Sequence, residues 1–513
     1  MKATPARWLW LLPATFLVGL LLAPLARLLI EGGATAWVDW AWWQDDHLRW
    51  RMGWSVLQAT ATCALVLVLG LPVAWVLARV EFAGRRWVLR VLMLPFVVPT
   101  LVAAMGVLAL LGPRGWAGQM GVDLEETPWL LLYGNLFFNL CVLVRTAVEA
   151  LERVSAQRLA AARTLGATPW RAFWRIEWPA IVPAVGAALC LVFLYCFAGF
   201  GLALVLGGQR YATVEVEIYT LVAHELQLAQ AGTLALWTLG GMSAVALVYV
   251  TVSRHLAAPE RADRVPRLPL RGATLHAAVA GALGLLAVVC GAPLLALWAK
   301  AGAAGWGAWA VWAEPETLAA LGNTLRFSGA ALVLATTLGL LHAFTLRHAL
   351  WWRGAVYVPL VVSPVTVAFG LLLLYPQWTA SLALLVAAYA LLAYPFVAQA
   401  LIGALDQQPA HLQQAARSLG ATPARAWWRV TLPLVAPALR RGMAFAAATM
   451  LGEFAVSLFL SRPEWTTLTT LIYQRLGRPG AANLDAALVL ACGLMALALL
   501  VFVCLEQRED PHA

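Results

Sequence analysis

Few side chains in this sequence could do chemistry. Its seven cysteines (Cys63, Cys141, Cys190, Cys196, Cys290, Cys492 and Cys504) all lie inside apolar runs with no C-x-x-C pair, so they read as small buried hydrophobes. The only lysines are Lys2 and Lys300, and neither follows the glycines of a phosphate-cradling G-x-x-x-x-G-K-[ST] loop, which leaves this chain no such ATP site. No nucleophile–His–acid grouping and no His/Cys spacing suited to a metal occurs, so neither catalytic residues nor metal ligands are assigned. What stands out instead is polar residues placed inside apolar blocks. Glu453 interrupts one block, where an unpaired carboxylate costs about 2.5–3.5 kcal/mol on insertion scales. It either lines a path and attracts a cation, or makes a structural hydrogen bond to a neighbouring helix. Asn135 and Asn139, at i and i+4, share one helix face and serve either that path or as glue between helices. Arg145 and Glu149, at the same spacing, read as a local pair.

The elements that position these residues follow from composition. Of 513 residues 62% are apolar and only 12% charged, half the charge an average soluble chain carries, so a water-coated globule is excluded and lipid must be the main solvent. The net charge of +10 is spread between apolar blocks, which fits membrane loops rather than nucleic acid. Blocks long enough to span a bilayer run near 8–30, 54–78, 88–111, 129–149, 180–206 and 233–253, then near 273–298, 321–346, 354–375, 380–402, 434–460 and 484–505. The first follows Lys2 and Arg7 and is too long for a signal-peptide core, so it reads as a retained helix. These twelve spans divide into a first half, 1–253, a Pro/Arg-rich linker, 254–272, and a second half, 273–513. The linker's Pro259, Pro266 and Pro269 exclude one long helix. With alternating spans, most Lys and Arg fall on one side if both termini are cytoplasmic.

One internal repeat joins the halves. Ala150–Ala184 aligns without gaps to Ala404–Ala438 at an offset of 254, with 18 of 35 positions identical. Each copy follows the fourth span of its six-span half, so the two halves are parallel and both copies face the cytoplasm. In the first copy, helix formers run from about Glu152 to Leu165, and Gly166 is placed to end that helix in a left-handed conformation. Thr168 then caps a second helix with Pro169 at its first position, and that helix stops before Pro179. It carries Trp170, Phe173 and Trp174 beside Arg171 and Arg175. The second copy repeats the plan with Gly420, Thr422, Pro423, Trp427, Trp428 and Pro433, beside Arg425 and Arg429. Aromatics of this kind also populate headgroup layers, but two similar capped hairpins on one face imply two similar partner surfaces.

The repeated block resembles the EAA loop of binding-protein-dependent ABC importer permeases. Ala161-Ala162, Leu165-Gly166 and Pro179 match its pattern in one copy, and Ala415-Ala416, Leu419-Gly420 and Pro433 in the other. The leading Glu of the pattern is replaced by Ala160 and by Gln414. The resemblance implies an all-α integral membrane protein of the type I ABC importer permease fold, with about twelve helices in two parallel six-helix repeats. It further implies two copies of a separate ATPase subunit that carry the ATP and Mg and grip these loops, with no cofactor in this chain and no nucleic acid partner. Leu110–Trp116, Phe137–Leu140 with Arg145, Gly199–Gly208, Ala212–Tyr219, Gly452-Glu453-Phe454 and Leu468–Gly477 are similar, in matching order, to stretches of fused thiamine permeases. That likeness implies a periplasmic thiamine-binding protein as a further partner, thiamine or its phosphate esters as cargo, and a bacterial inner-membrane location. Fused ferric-iron permeases share the architecture and the Gly-Glu-Phe element, so iron stays open as an alternative. A secondary transporter of the major facilitator type is disfavoured, because Arg79–Trp87 carries Gly84-Arg85-Arg86 but no Asp-Arg.

Overall fold

Lipid offers no partner to a free backbone N–H or C=O, so long apolar runs must satisfy their own ladders as helices. The structure, a computed structural model, describes residues 8–31, 44–253, 265–346, 349–379, 381–460 and 462–506. Lys2, Arg7 and the first part of the expected linker, including Pro259, lie outside them. The first half contains α1 (Leu11–Glu31), α2 (Asp46–Arg79), α3 (Thr100–Leu111), α4 (Pro128–Glu152), α5 (Ala156–Thr164), α6 (Pro169–Phe197), α7 (Val214–Ala223) and α8 (Leu228–Ser253). The second contains α9 (Ala273–Ala303), α10 (Pro315–Thr345), α11 (Pro364–Leu374), α12 (Leu382–Gln407), α13 (Ala410–Ser418), α14 (Leu432–Leu451), α15 (Leu468–Gly477) and α16 (Ala481–Glu506).

Among the described residues ten helices are long and apolar enough to cross a membrane. The pair Trp351–Val361 and Pro364–Leu374, bent by 99° at Val362-Ser363, is either a broken eleventh span or a re-entrant loop. The block expected near 434–460 differs. Its helix α14 ends at Leu451, carries Arg440 and Arg441, and is followed by a break and the short helix Ala455–Leu460. Glu453 therefore sits in that break rather than within a span. Gly442 lets α14 press against α12, since a Cβ there would lie 2.9 Å from the Phe396 carbonyl oxygen.

The two halves exchange their first helices. Leu17 and Leu21 of α1 are buried with Phe327, Tyr389 and Tyr394 of the second half, and the Tyr375 hydroxyl donates to the Gly19 carbonyl at 2.9 Å. In return α9 buries Val279, Val289 and Ala296 against the cluster containing Leu101, Phe137 and Leu140. The Tyr133 hydroxyl donates to the Val288 carbonyl at 2.6 Å, and Lys300 Nζ donates to the Arg114 carbonyl at 2.7 Å. The described part of the linker returns along the first half as a parallel strand pair, β1 (Val80–Glu81) with β2 (Leu268–Pro269). Arg267 fastens it by pairing with Glu81 at 2.9 Å and Glu152 at 3.1 Å.

Candidate functional site

Both repeat copies fold as the capped hairpins their residues specify. Gly166 (φ 78°) ends the turn after α5 and Gly420 (φ 85°) the turn after α13, a left-handed conformation that glycine alone adopts without strain. Thr168 Oγ1 accepts the Arg171 N–H, and Thr422 Oγ1 accepts the Arg425 N–H, each at 3.3 Å. The second helix does not stop before Pro179 or Pro433. It widens into a π-turn, Phe173–Glu177 or Trp427–Thr431, and continues into the long helix, because the looser turn absorbs the N–H that each proline lacks.

The turns project outward. Leu165 is 88% exposed and Leu419 89%, with Trp170, Trp174 and Trp428 also exposed beside them. Ala161, Ala415 and Gln414 are exposed as well, while Ala162 and Ala416 are half-covered. These two leucines, each beside a glycine, bury little within this chain.

The roots of the two hairpins are fixed unequally. At the first, buried Glu177 accepts Arg79 Nη2 at 2.6 Å, Arg79 Nε at 2.8 Å and Trp75 Nε1 at 3.3 Å, while Arg79 also donates to the Leu151 carbonyl at 3.1 Å. Val265, Pro266 and Leu268 of the linker share a small cleft there with Leu159, Arg163 and Pro169. At the second, Thr431 stands where the repeat has Glu177, and its hydroxyl accepts the Gln413 amide at 2.7 Å. Arg353 pairs with Asp406 at 2.5 Å nearby, as Arg85 pairs with Glu152 at 2.6 Å in the first half.

The residues expected to line a path do meet. A cavity of about 300 Å³ between the halves is lined by Asn135, Asn139, Phe200, Phe396, Glu453 and Phe454 among others. Asn135 and Asn139 also serve as interhelical glue. The Asn135 amide donates to Gln58 Oε1 at 2.7 Å, Gln58 donates to the Cys196 carbonyl at 2.9 Å, and Asn139 donates to Cys196 Sγ at 3.3 Å. Glu453 Oε1 accepts the Val456 N–H at 3.0 Å, so it caps the short helix beyond the break while facing the cavity. Arg145 and Glu149 form their local pair at 2.6 Å.

The repeat extends further than the hairpins show. Val214 and Leu468, again 254 apart, each begin a helix whose first N–H donates to a hydroxyl on the opposing long helix, Ser55 at 2.8 Å and Thr324 at 2.9 Å. Each helix is pinned by charge of opposite polarity: Glu217 of α7 accepts Arg51 at 3.0 Å and His47 at 3.1 Å, whereas Arg475 of α15 pairs with Glu314 and with Glu316 at 3.0 Å. Sequence reasoning missed Glu177, Glu215, Glu217 and Ser363. The one available signal was two acids, Glu215 and Glu217, inside the otherwise apolar run Ala212–Tyr219.

Residues 67–256 and 331–507 both match the family described as binding-protein-dependent transport system inner membrane component, one match in each half. The chain belongs to this family. It is a multi-pass membrane permease, built as two family units in one polypeptide. The chain is 27% identical to the thiamine transport system permease protein ThiP of Escherichia coli (strain K12), over 97% of this chain and 96% of the relative. It is 25% identical to ThiP of Haemophilus influenzae (strain ATCC 51907 / DSM 11121 / KW20 / Rd), over 92% and 91%, and 28% identical to ThiP of Brucella abortus (strain 2308), over 98% and 97%. Membership in an importer permease family implies, in general terms, an ATPase and a substrate-binding protein as partners.

Proposed function

We propose that this chain is the permease subunit of an ATP-driven importer that carries thiamine, or its phosphate esters, from periplasm to cytoplasm across a bacterial inner membrane, with both termini cytoplasmic. One observation carries the reading: near end-to-end likeness to thiamine transport permeases in a chain that presents two bare, capped hairpins. One ATPase subunit grips the turn at Leu165-Gly166 and a second grips the turn at Leu419-Gly420, with Trp174 and Trp428 adding contact area. ATP and Mg reside on those subunits, and this chain contributes no cofactor. A periplasmic thiamine-binding protein delivers the cargo to the end of the bundle away from the hairpins.

Coupling is mechanical. Each hairpin continues without interruption into α6 or α14, so drawing the two turns together tilts two rigid helices. Those helices end at the breaks Gly199-Phe200 and Gly452-Glu453, at the wall of the cavity. Motion at the hairpins therefore arrives at Phe200, Glu453 and Phe454. Glu453 offers a carboxyl to a cation in the cavity, whose lining also holds Asn135 and Asn139.

The test is uptake into proteoliposomes holding this chain, its ATPase and the binding protein encoded with it. ATP-dependent accumulation of radiolabelled thiamine, absent when the ATPase is omitted, is expected. Accumulation of ferric iron in place of thiamine, or thiamine accumulation by the chain alone, would overturn the reading.

A further inference from the structure

Five aromatic rings drawn from both halves form an unbroken chain, and two of them, Phe200 and Phe454, line the cavity. Ring centroids run Phe459 to Tyr219 at 5.3 Å, Tyr219 to Phe200 at 5.5 Å, Phe200 to Phe454 at 5.9 Å and Phe454 to Tyr473 at 5.2 Å. Phe200 and Phe454 are repeat mates 254 apart, and so are Tyr219 and Tyr473, so the chain crosses the pseudo-twofold axis between the two stacked phenylalanines. The two tyrosines stand on helices α7 and α15. The two phenylalanines stand in the breaks after α6 and α14, where the backbone is free to follow those helices.

Carboxyl groups stand near two of these rings, Phe454 and Tyr219. Glu453 precedes Phe454 and lines the cavity, whose described lining residues include this one acid and no base. Glu215 lies one turn before Tyr219 on the same face of α7 and is fully buried. Its Oε2 accepts the Ser363 hydroxyl at 2.6 Å, and its Oε1 has no hydrogen-bond partner among the described residues. Ser363 lies between Val362 and Pro364, which line the cavity, so the orphaned oxygen stands just behind the cavity wall. A buried acceptor left unmatched is costly unless something positive arrives to meet it.

We propose that these rings, with Glu453 and Glu215, form a recognition gate for a planar aromatic cation, the chemical class of a thiazolium. The proposal rests on the thiamine reading and deepens it. The negative faces of Phe200 and Phe454 attract a flat cation, so ring–ring contact is exchanged for ring–cation contact as the pair parts, and the closure is not simply broken. The Glu453 carboxyl faces the arriving cation from the cavity wall, and the Glu215 carboxyl stands behind that wall. A neutral solute of similar size gains nothing from the exchange of ring–ring for ring–cation contact.

The test uses the complete transporter in proteoliposomes, with permease, ATPase and binding protein, and reads initial rates of thiamine uptake. Phe200 and Phe454 are replaced by mono-, di- and trifluorinated phenylalanine, which keep ring shape while progressively emptying the negative face. The expected result is a stepwise fall in kcat/KM, to about a tenth for trifluorinated Phe454, with thermal stability unchanged. Glu215→Gln, which keeps an oxygen for the Ser363 hydroxyl but cannot ionise when a cation arrives, is expected to slow uptake severalfold. A flat fluorine series beside normal uptake by the unsubstituted protein overturns the gate alone. Absence of thiamine uptake by the unsubstituted complex overturns the substrate reading and the gate with it. An unchanged rate in Glu215→Gln removes Glu215 from the gate.

Discussion

The unequal roots of the two hairpins make a sharp prediction. Glu177→Gln deletes the charge that Arg79 meets through Nη2 at 2.6 Å and Nε at 2.8 Å, and leaves a buried guanidinium facing only neutral acceptors, the new amide oxygen and the Leu151 carbonyl. Both side chains are only 5% exposed, so water does little to compensate. Removing one member of a buried pair costs about 3–5 kcal/mol. The matching change at the second root, Thr431→Val, removes one neutral hydrogen bond to Gln413 and costs about 1 kcal/mol. Since about 1.4 kcal/mol is tenfold in an equilibrium, the first hairpin should open at least about a hundredfold more often, and the second by less than about tenfold. Hydrogen–deuterium exchange in nanodiscs, followed over peptides 156–177 and 410–431, reads this directly. The double variant Arg79→Leu with Glu177→Leu leaves no stranded charge and should return the first hairpin to within about tenfold of the parent. Equal exchange in both hairpins, or a double variant as loose as Glu177→Gln, would show that the ion pair does not anchor the root.

Three further outcomes follow from the same geometry. Gly166→Val together with Gly420→Val forces β-branched residues into left-handed backbone at about 1–2 kcal/mol each. Membrane insertion should persist while co-purification with the ATPase is lost, and normal co-purification would argue against docking through these turns. Leu165→Asp with Leu419→Asp alters side chains that bury almost nothing, so thermal stability should shift by no more than about 0.5 kcal/mol. Stimulation of ATP hydrolysis by the permease should nevertheless collapse, and full stimulation would contradict partner contact there. Glu453→Gln retains an oxygen for the Val456 N–H and should fold normally yet import thiamine more slowly, whereas Glu453→Ala also loses the cap, about 0.5–2 kcal/mol. Wild-type uptake by the Gln variant would reduce Glu453 to a cap.

The hairpins were legible because their determinants are local. Gly166, Thr168 and Pro169 act within a few bonds of themselves, as do Gly420, Thr422 and Pro423, and the observed left-handed glycines and hydroxyl caps obey the rules their types impose. Pro179 and Pro433 misled because a proline's missing N–H ends a regular helix but not one that loosens into a π-turn. The block near 434–460 misled for a related reason. Its apolar residues continue past Leu451, and only contact with another part of the chain, Gly452 pressed on Pro99, shows that the helix has broken there.

Most of the spans, the duplicated hairpins and the two related halves thus follow from sequence, because apolar run length, cap chemistry and repetition are written in consecutive residues. Tertiary structure alone decided that α1 and α9 change places. It also brought Asn135, Asn139, Glu453 and the two phenylalanines around one cavity, and left one oxygen of Glu215 without a partner. Helices in lipid are equally apolar on many faces, so hydrophobicity cannot choose between neighbours. Close packing and a few buried hydrogen bonds make that choice, across separations of a hundred residues or more.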